Sequence, residues 1–360
     1  MSLALYTELC RKLGIRLPIL QAGMAGGPTT PELVAAVSEA GALGTLGAAY
    51  MKPEDIRTAI AEIRKRTDKP FGVNLFLSSM KDDWSRSAAV QPVLDGIRRT
   101  LSLKPAEGAA PPVTPDWVEA QIAVVLEEQV PVISTAFGVL PEREAAEAHR
   151  IGMKIVAMAT TVKEARIAEQ SGADIIVAQG SEAGGHRGTF DVSARPLGAN
   201  VGTFALVPQI ADAVRVPVAA AGGIMDGRGL VAALALGAQG VQLGTRFLTA
   251  AESGAHPAYR AALLAADEES TTITTAFSGR PARGIRNAFI RTFEQAGVAP
   301  LPFPSQNTAT RDIRNAVAEG HNAEYMSLWA GQGTPLLTDG QSAGEIVTDI
   351  MEQAQRLLRG

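Results

Sequence analysis

The residues from Glu169 to Gly180, EQSGADIIVAQG, decide the fold class of this sequence. The first half ends a helical pattern at a glycine, which suits the left-handed conformation that closes many helices. The second half is a short, continuous apolar run, which is typical of a parallel strand buried on both faces. A helix followed at once by such a strand is the repeating unit of an α/β fold.

The same transition recurs along the chain in two forms. One form repeats the glycine, as in SEAGALGTLGA and LALGAQGVQLG. In the other a proline precedes the strand, because proline stops a helix and is tolerated at the first residue of a strand. With two further apolar runs, the predicted strands begin near Pro18, Gly41, Pro70, Pro131, Lys154, Gly172, Pro217 and Gly237.

Eight parallel strands separated by helices predict a (β/α)₈ barrel, the TIM barrel. A doubly wound sheet is the competing architecture. That sheet should show GxGxxG after its first strand, whereas residues 23–28 read GMAGGP. The sequence therefore favours the barrel.

The chain is longer than one barrel needs. It has 360 residues, 46% of them hydrophobic and 19% charged, while a barrel takes about 250 residues. An excursion rich in Ser, Pro and charge covers residues 78–115. We expect the barrel to comprise residues 1–256 and 334–360, with a closing helix over 342–358. Residues 257–333 are expected to form a smaller, mostly helical domain over the barrel mouth, as a lid.

Composition excludes several classes of protein. The net charge of −4, without a long basic run, argues against nucleic acid as a partner. The single cysteine, Cys10, excludes an internal disulfide and a cysteine-cluster metal site, and it fits the cytoplasm. No apolar run is long enough to predict membrane insertion or a secretory core. HExxH, Walker and GxSxG motifs do not occur, so we expect no metal site.

Two pairs of residues that contain glycine occupy the positions where barrels of this kind commonly bind phosphate, the loops after strands seven and eight. Gly222 and Gly223 follow the seventh predicted strand, and Gly244 and Thr245 follow the eighth. Glycines let backbone N–H groups approach an anion, and a helix predicted to begin near residues 226–229 directs its positive end toward it. Tight turns would explain each pair alone, but the two pairs together favour a ligand.

The segment 179–190, QGSEAGGHRGTF, follows the sixth predicted strand. Its four glycines argue against a helix or a strand, so we expect a tight loop whose backbone lies against a ligand. His186 is the only histidine in such a loop, where imidazole can accept a proton from carbon or, when protonated, hold an anionic substrate. The remaining histidines, His149, His256 and His321, are interpreted as structural or solvated.

Two other regions carry candidate ligand contacts. The loop 21–27 would pass under a flat ligand, and the amide of Asn74 can donate and accept hydrogen bonds at once. A simple turn and a core amide are the alternatives. Near the predicted lid, Arg280, Arg283 and Arg286 either meet an anion or form a solvated basic patch.

These motifs, in this order and spacing, resemble the nitronate monooxygenases, once called 2-nitropropane dioxygenases, and within them the class I group. The matching stretches span most of the chain: PILQAGMAGG, GSEAGGHRGTF, AAGGIMDGRG, VQLGTRFL, SGRPARG and LWAGQG. GGHRG is the specific element, whereas AGGI and GTRF recur among flavin and phosphate barrels. The resemblance implies non-covalently bound FMN and the oxidation of alkyl nitronates, such as propionate 3-nitronate, by O₂ to a carbonyl compound and nitrite.

The resemblance also implies site residues. His186 would be catalytic, positioning the nitronate or taking a proton from a neutral nitroalkane. The expected FMN contacts are Ala22, Gly23, Met24, Asn74, Gln179, Ser181, Gly184 and Gly185 at the ring, and Gly222, Gly223, Gly244 and Thr245 at the phosphate. Phe303 stands where the family pattern would place an aromatic hydroxyl, so no C-terminal tyrosine or lysine is assigned. The expected partners are the nitronate and O₂, with no nucleic acid and no membrane, and a homodimer is compatible with the sequence.

Three rival functions share parts of this pattern. An FMN-dependent NAD(P)H reductase, of the enoyl-acyl-carrier-protein or quinone type, could use the same barrel and a related glycine-histidine loop. Arg187 and the WAGQG stretch favour the monooxygenase. An enzyme like IMP dehydrogenase would need a nucleophilic cysteine in a catalytic loop, and Cys10 lies at the wrong end. A non-catalytic FMN-binding protein predicts that replacing His186 changes no turnover.

Overall fold

The central sheet is a closed barrel of eight parallel strands in a computed structural model that describes residues 4–106 and 110–359. The strands of the chain up to the eighth barrel strand are β1 (Ile19–Gln21), β2 (Gly44–Gly47), β3 (Phe71–Phe76), β4 (Val132–Ala136), β5 (Lys154–Ala159), β6 (Ile175–Gln179), β7 (Gly185–His186), β8 (Val218–Ala221) and β9 (Gly240–Leu243). All of these except the two-residue β7 belong to the barrel, in the order β1-β9-β8-β6-β5-β4-β3-β2.

Closure of the barrel occurs between β1 and the residue just before β2. Leu20 and Leu43 form a parallel bridge there. Leu43 donates its N–H to the Ile19 carbonyl and accepts from the Gln21 N–H, both at 2.9 Å. The ring is therefore complete, and the barrel prediction is confirmed over the doubly wound sheet.

Helices surround the barrel and extend beyond it. They are α1 (Glu8–Leu13), α2 (Pro31–Glu39), α3 (Pro53–Arg64), α4 (Ser87–Thr100), α5 (Val118–Glu127), α6 (Glu142–Arg150), α7 (Val162–Gln170), α8 (Thr203–Ala213), α9 (Gly227–Ala235), α10 (Pro257–Ala265), α11 (Ala288–Ala296), α12 (Ser305–Ala309), α13 (Arg311–Glu319) and α14 (Ala343–Arg359). Within the described residues, none of these helices is long and apolar enough to cross a membrane.

The transitions that the sequence predicted are present. Gly41, Gly172 and Gly237 have φ values of 95°, 91° and 95° directly after their helices, which is the left-handed region that glycine enters without strain. The closing helix, predicted over 342–358, is α14, which packs against α9 and α2.

Apolar side chains fill the barrel from its amino-terminal end. Leu9, Cys10 and Leu13 of α1 are buried in one cluster with interior residues such as Leu20 and Val156. Since α1 covers this end, the carboxyl-terminal end of the strands is the one left for a ligand. Cys10 is a free, buried thiol.

A second packing unit lies outside the barrel. Strands β10 (Thr271–Thr274) and β11 (Ala282–Ile285) form an antiparallel sheet with β7, in the order β10-β11-β7. Phe277 and Phe289 lie in a separate apolar cluster that also takes in Leu94 of α4. The excursion 78–115 thus packs with the segment 257–333, and the division into domains made from the sequence stays a prediction.

The strand β7 corrects the expectation that the glycine-rich segment is only a loop. His186 pairs with Ala282, and Gly185 pairs with Arg283. The partner strand lies about 100 residues away in the chain. The composition of the segment argued against a strand. The strand forms nevertheless, because it pairs with β11, which is distant in the chain.

Candidate active site

One cavity opens at the carboxyl-terminal ends of the barrel strands, with an internal volume of about 400 Å³. Loops of the barrel form its floor, and residues such as Trp329 and Asn307 line it from the second packing unit. Its size is within the usual range for a small-molecule or cofactor site, about 300 to 1,000 Å³. The predicted residues that line it are Ala22, Gly23, Met24, Asn74, Gln179, Gly184, Gly185, His186, Gly222, Gly223, Gly244 and Thr245.

Ser181 is the one predicted residue outside this lining. Its hydroxyl lies 3.4 Å from a Glu182 carboxylate oxygen, and its carbonyl accepts from Arg283 Nε at 2.8 Å. Both groups thus serve contacts within the surrounding wall.

The two glycine loops present free backbone donors to the cavity. Gly222 and Gly223 have φ values of 120° and 69°, a conformation that L side chains rarely adopt. Within the described residues, no group accepts from the backbone N–H of Gly222, Gly223 or Gly244. Successive N–H groups in such a turn form a concave site for an anion.

Helix α9 begins where the sequence predicted, but its first N–H groups are bonded within the protein and do not face this site as free donors. The carboxylate of Asp226 accepts from the N–H groups of Arg228 at 2.9 Å and Gly229 at 3.4 Å. Gln353 accepts from Gly227 at 2.8 Å. The helix N-terminus is already capped, because an aspartate at this position is itself the preferred acceptor.

Two other glycines allow close approach of backbone segments. A Cβ atom on Gly184 would lie 2.5 Å from the backbone nitrogen of Gly331, in the LWAGQG stretch. A Cβ atom on Gly23 would lie 2.5 Å from Cβ of Asn74. The cavity wall is therefore tight at both places, and no larger residue fits without a shift of the backbone or of Asn74.

His186 lies in an aromatic part of the wall. Its ring centroid is 5.7 Å from that of Phe76, 5.8 Å from Phe137 and 5.3 Å from Trp329. Its Nε2 is 2.8 Å from Ser278 Oγ. That hydroxyl donates to the Arg280 carbonyl at 3.1 Å, so it accepts from Nε2–H, and Nδ1 is the ring nitrogen with the free lone pair.

The environment keeps His186 neutral. Burial, and then the positive charges of Arg280 and Arg314, lower the pKa of His186 to about 3. Of the two roles predicted for this side chain, this environment disfavours holding an anion as an imidazolium at neutral pH. The neutral imidazole is an acceptor and a weak base.

Two neighbouring side chains hold the segment that carries His186. Gln179 donates from Nε2 to the His186 carbonyl at 2.9 Å and accepts from the Gly188 N–H at 2.8 Å. Arg187 is fully buried and donates to the carbonyls of Gly180, at 2.6 Å, and Gln179, at 2.8 Å. The side-chain amide of Gln179 thus bonds to the backbone of the segment through both its nitrogen and its oxygen.

The three arginines near the predicted lid have three different environments. Arg280 is buried, with its guanidinium 3.8 Å from the centroid of the Phe137 ring, and it donates to the Thr189 carbonyl. Arg283 bonds to the carbonyl of Ser181, as described above. Arg286 is exposed and pairs with a glutamate of α11. The alternative that these arginines form a solvated basic patch is therefore wrong for Arg280, which is buried, and holds only for Arg286, which is exposed.

The other histidines have structural roles, as predicted. His149 lies 3.2 Å from the carboxylate of Asp174. His256 Nδ1 accepts from the Ala258 N–H at 3.1 Å and so caps α10. Its ring packs against that of His321, with centroids 4.6 Å apart, although His256 also reaches the cavity edge.

Sequence reasoning missed several lining residues, chiefly Tyr50, Phe137 and Arg314. They come from three distant segments and follow no motif. A lone tyrosine after β2 or an arginine on an amphipathic helix carries no signal of its own. Trp329 could have been found, because it belongs to the LWAGQG stretch.

Comparison with known proteins agrees with this geometry. The family model described as nitronate monooxygenase matches residues 7–353. A probable nitronate monooxygenase of Staphylococcus saprophyticus is 40% identical over 355 residues, which cover 98% of this chain and 99% of that protein.

Solved structures give the same result. The nitroalkane oxidase of Streptomyces ansochromogenes superposes with a TM-score of 0.88 at 38% identity, covering 96% of this chain and 97% of that one. FabK of Thermotoga maritima gives a TM-score of 0.78 at 34% identity, covering 99% and 98%. A family model and relatives that span almost the whole chain leave one assignment: the chain belongs to the nitronate monooxygenase family and is an enzyme of the oxidoreductase class.

Proposed function

We propose that this enzyme uses FMN to oxidise alkyl nitronates, such as propionate 3-nitronate, with O₂ to a carbonyl compound and nitrite. The observation that carries the proposal is a neutral, half-buried imidazole, His186, in the wall of the same cavity as two loops with free backbone donors. The proposal requires no partner other than the nitronate and O₂. The flavin supplies the redox chemistry, for which side chains alone are poorly suited.

The donor groups of the cavity fit FMN. The free N–H groups of Gly222, Gly223 and Gly244 suit phosphate oxygens. Asn74 donates from Nδ2 to Ser134 Oγ at 3.1 Å, which leaves its Oδ1 for a donor on a flat ring. We propose that the ring contacts the stretch 22–24 together with Gly184 and Gly185, with Thr245 and Gln179 at the edges of the site.

His186 favours a substrate that arrives already ionised. A ring nitrogen whose pKa is held near 3 is a weak base for a carbon-bound proton. A preformed nitronate needs no such proton transfer. We therefore propose that His186 positions the nitronate within the aromatic wall, and that a neutral nitroalkane reacts much more slowly than its nitronate.

The first experiment measures O₂ uptake and nitrite release by the purified, FMN-loaded enzyme with propionate 3-nitronate. We expect both without a pyridine nucleotide. His186→Asn should lower kcat/KM by about 10- to 100-fold, the range for loss of one positioned polar contact at a reacting group. His149→Asn, at an exposed histidine, is the matched control and should change nothing. An unchanged rate in H186N would refute the positioning role of His186, whereas an FMN-loaded wild type without any turnover would support a non-catalytic FMN-binding protein.

The second candidate is the FMN-dependent NAD(P)H reductase. FabK, which is not named as a nitronate monooxygenase, matches 99% of this chain at 34% identity, and this match favours keeping the reductase as a candidate. A parallel assay supplies NADH or NADPH with a quinone or an enoyl thioester. Oxidation of NAD(P)H without any nitronate activity would replace the proposed function by this one.

A further inference from the structure

A single cationic side chain, Arg314 of α13, faces the cavity. Among the described lining residues it is the only arginine or lysine. Arginine keeps its proton at neutral pH even where burial lowers its pKa, as it does for Arg314. The cavity therefore carries one permanent positive charge in its roof.

The guanidinium of Arg314 is held in place but not neutralised. It donates from Nη2 to the carbonyl of Asn307 at 2.7 Å and to its side-chain oxygen at 3.0 Å, and from Nε to Thr310 Oγ1 at 3.3 Å. All of these acceptors are uncharged. Within the described residues, no carboxylate forms an ion pair with Arg314, and its Nη1 has no partner. A guanidinium held in one position, with one nitrogen still free to donate, can bind the oxygen of an anion that enters the cavity.

Tyr50 adds a second open donor to the same cavity. Burial raises the pKa of Tyr50 to about 12, although the charge of Arg314 acts in the opposite direction. The phenol is therefore neutral, and its hydroxyl bonds to no described residue. Glu182, the only carboxylate among the described lining residues, is bonded to the N–H and hydroxyl of Thr203 instead.

The position of Arg314 separates it from the floor of the cavity. The glycine loops that suit the phosphate belong to the barrel, whereas Arg314 comes from the helix above. A nitronate group has to lie against the flavin on the floor. A cation in the roof is then left for the far end of the substrate.

We propose that Arg314, with the Tyr50 hydroxyl, binds a carboxylate at the far end of the substrate, so that the enzyme selects short nitronates that carry a carboxylate over simple alkyl nitronates. This inference rests on the proposed function for the nitronate end of the ligand. It makes Arg314 a specificity-determining residue.

The test compares two three-carbon substrates, propionate 3-nitronate and propyl-1-nitronate, which differ by the carboxylate. Arg314→Gln should raise KM for propionate 3-nitronate by about 10- to 100-fold, as expected for loss of a charge-assisted hydrogen bond. KM for propyl-1-nitronate should change by less than about threefold. Arg314→Lys keeps the positive charge but loses the forked guanidinium, so its KM for propionate 3-nitronate should lie between those of the wild type and R314Q. Arg99→Gln, at an exposed arginine of α4, is the charge-matched control.

A binding measurement separates this inference from the proposed function. Calorimetric titration with 3-nitropropionate and with 1-nitropropane needs no turnover and no flavin signal. R314Q should lose affinity for the carboxylate ligand only, while its thermal midpoint and FMN content match those of the wild type. Equal losses for both ligands and both substrates would overturn the role of Arg314 and leave the oxidation of nitronates standing. If the wild type oxidises neither nitronate, the proposed function fails, and the titrations still decide whether Arg314 binds carboxylate.

Discussion

Replacing Arg187 with methionine removes the buried guanidinium that holds the segment carrying His186. The side chain donates to the carbonyls of Gly180, Gln179 and Ala199 at 2.6, 2.8 and 3.2 Å. Its Nε has no partner among the described residues. Methionine has a similar length but no donor, so all three carbonyl groups lose the guanidinium while the packing volume is largely kept. Of the three, the Gly180 carbonyl still accepts from the Ala183 N–H at 3.2 Å.

Two opposing effects set the size of the change in unfolding free energy. Three hydrogen bonds from a charged donor contribute about 1.5 to 3 kcal/mol each, or about 5 to 9 kcal/mol together. Burial, and then the charge of Arg283, lower the pKa of Arg187 from 12.5 to about 10. At about 1.36 kcal/mol per pH unit, the net cost of keeping the guanidinium charged is on the order of 3 kcal/mol. The contribution of the hydrogen bonds exceeds the cost of burying the charge, so the free energy of unfolding of R187M should be lower than that of the wild type by about 2 to 6 kcal/mol.

Urea unfolding followed by circular dichroism, with saturating FMN, measures this difference. Arg195→Met, at an exposed position of the following loop, should stay within about 0.5 kcal/mol of the wild type. A loss below about 1 kcal/mol in R187M would refute the reasoning, because desolvation would then balance the three hydrogen bonds. R187M should also raise KM for the nitronate, since the segment that positions His186 is released.

Two other outcomes test the neutral imidazole and the close contact of two backbone segments. On a preformed nitronate, kcat/KM should show no ionisation of His186 between about pH 5 and pH 8, because its pKa is lowered to about 3; an acid limb near pH 6.5 that disappears in H186N would contradict this. The stability that neutral His186 contributes should be complete above about pH 6.5 and decline as the pH falls toward about 3. Gly184→Ala should lower the free energy of unfolding by about 1 to 3 kcal/mol, because the new Cβ would lie 2.5 Å from the Gly331 nitrogen. The control is Gly344→Ala, whose Cβ would have no atom within 4 Å. In thermal melts this control should be neutral or stabilising.

Local chemistry predicted the barrel and most of the cavity floor. Glycine after a helix and proline before a strand act within a few residues, so Gly41, Gly237 and Pro217 mark their boundaries without any knowledge of the fold. Loops at the carboxyl ends of parallel strands meet at one face, which is why residues as distant as Gly23 and Gly222 were expected together and line one cavity. The exception is Ser181, which does not line the cavity and whose carbonyl accepts a hydrogen bond from Arg283.

By itself, then, the sequence determined the order of the eight barrel strands, the closed α/β architecture and the end of the barrel that carries the site, since each of these follows from short-range backbone preference and apolar periodicity. Only the tertiary structure decided the strand pairing of His186, its neutral state and the charge above it. The pairing depends on β11, and the neutral state depends on burial and on the charges of Arg280 and Arg314. All of these are brought together by packing between segments far apart in the chain. Burial and electrostatic interaction depend on distance in space, which no local pattern records.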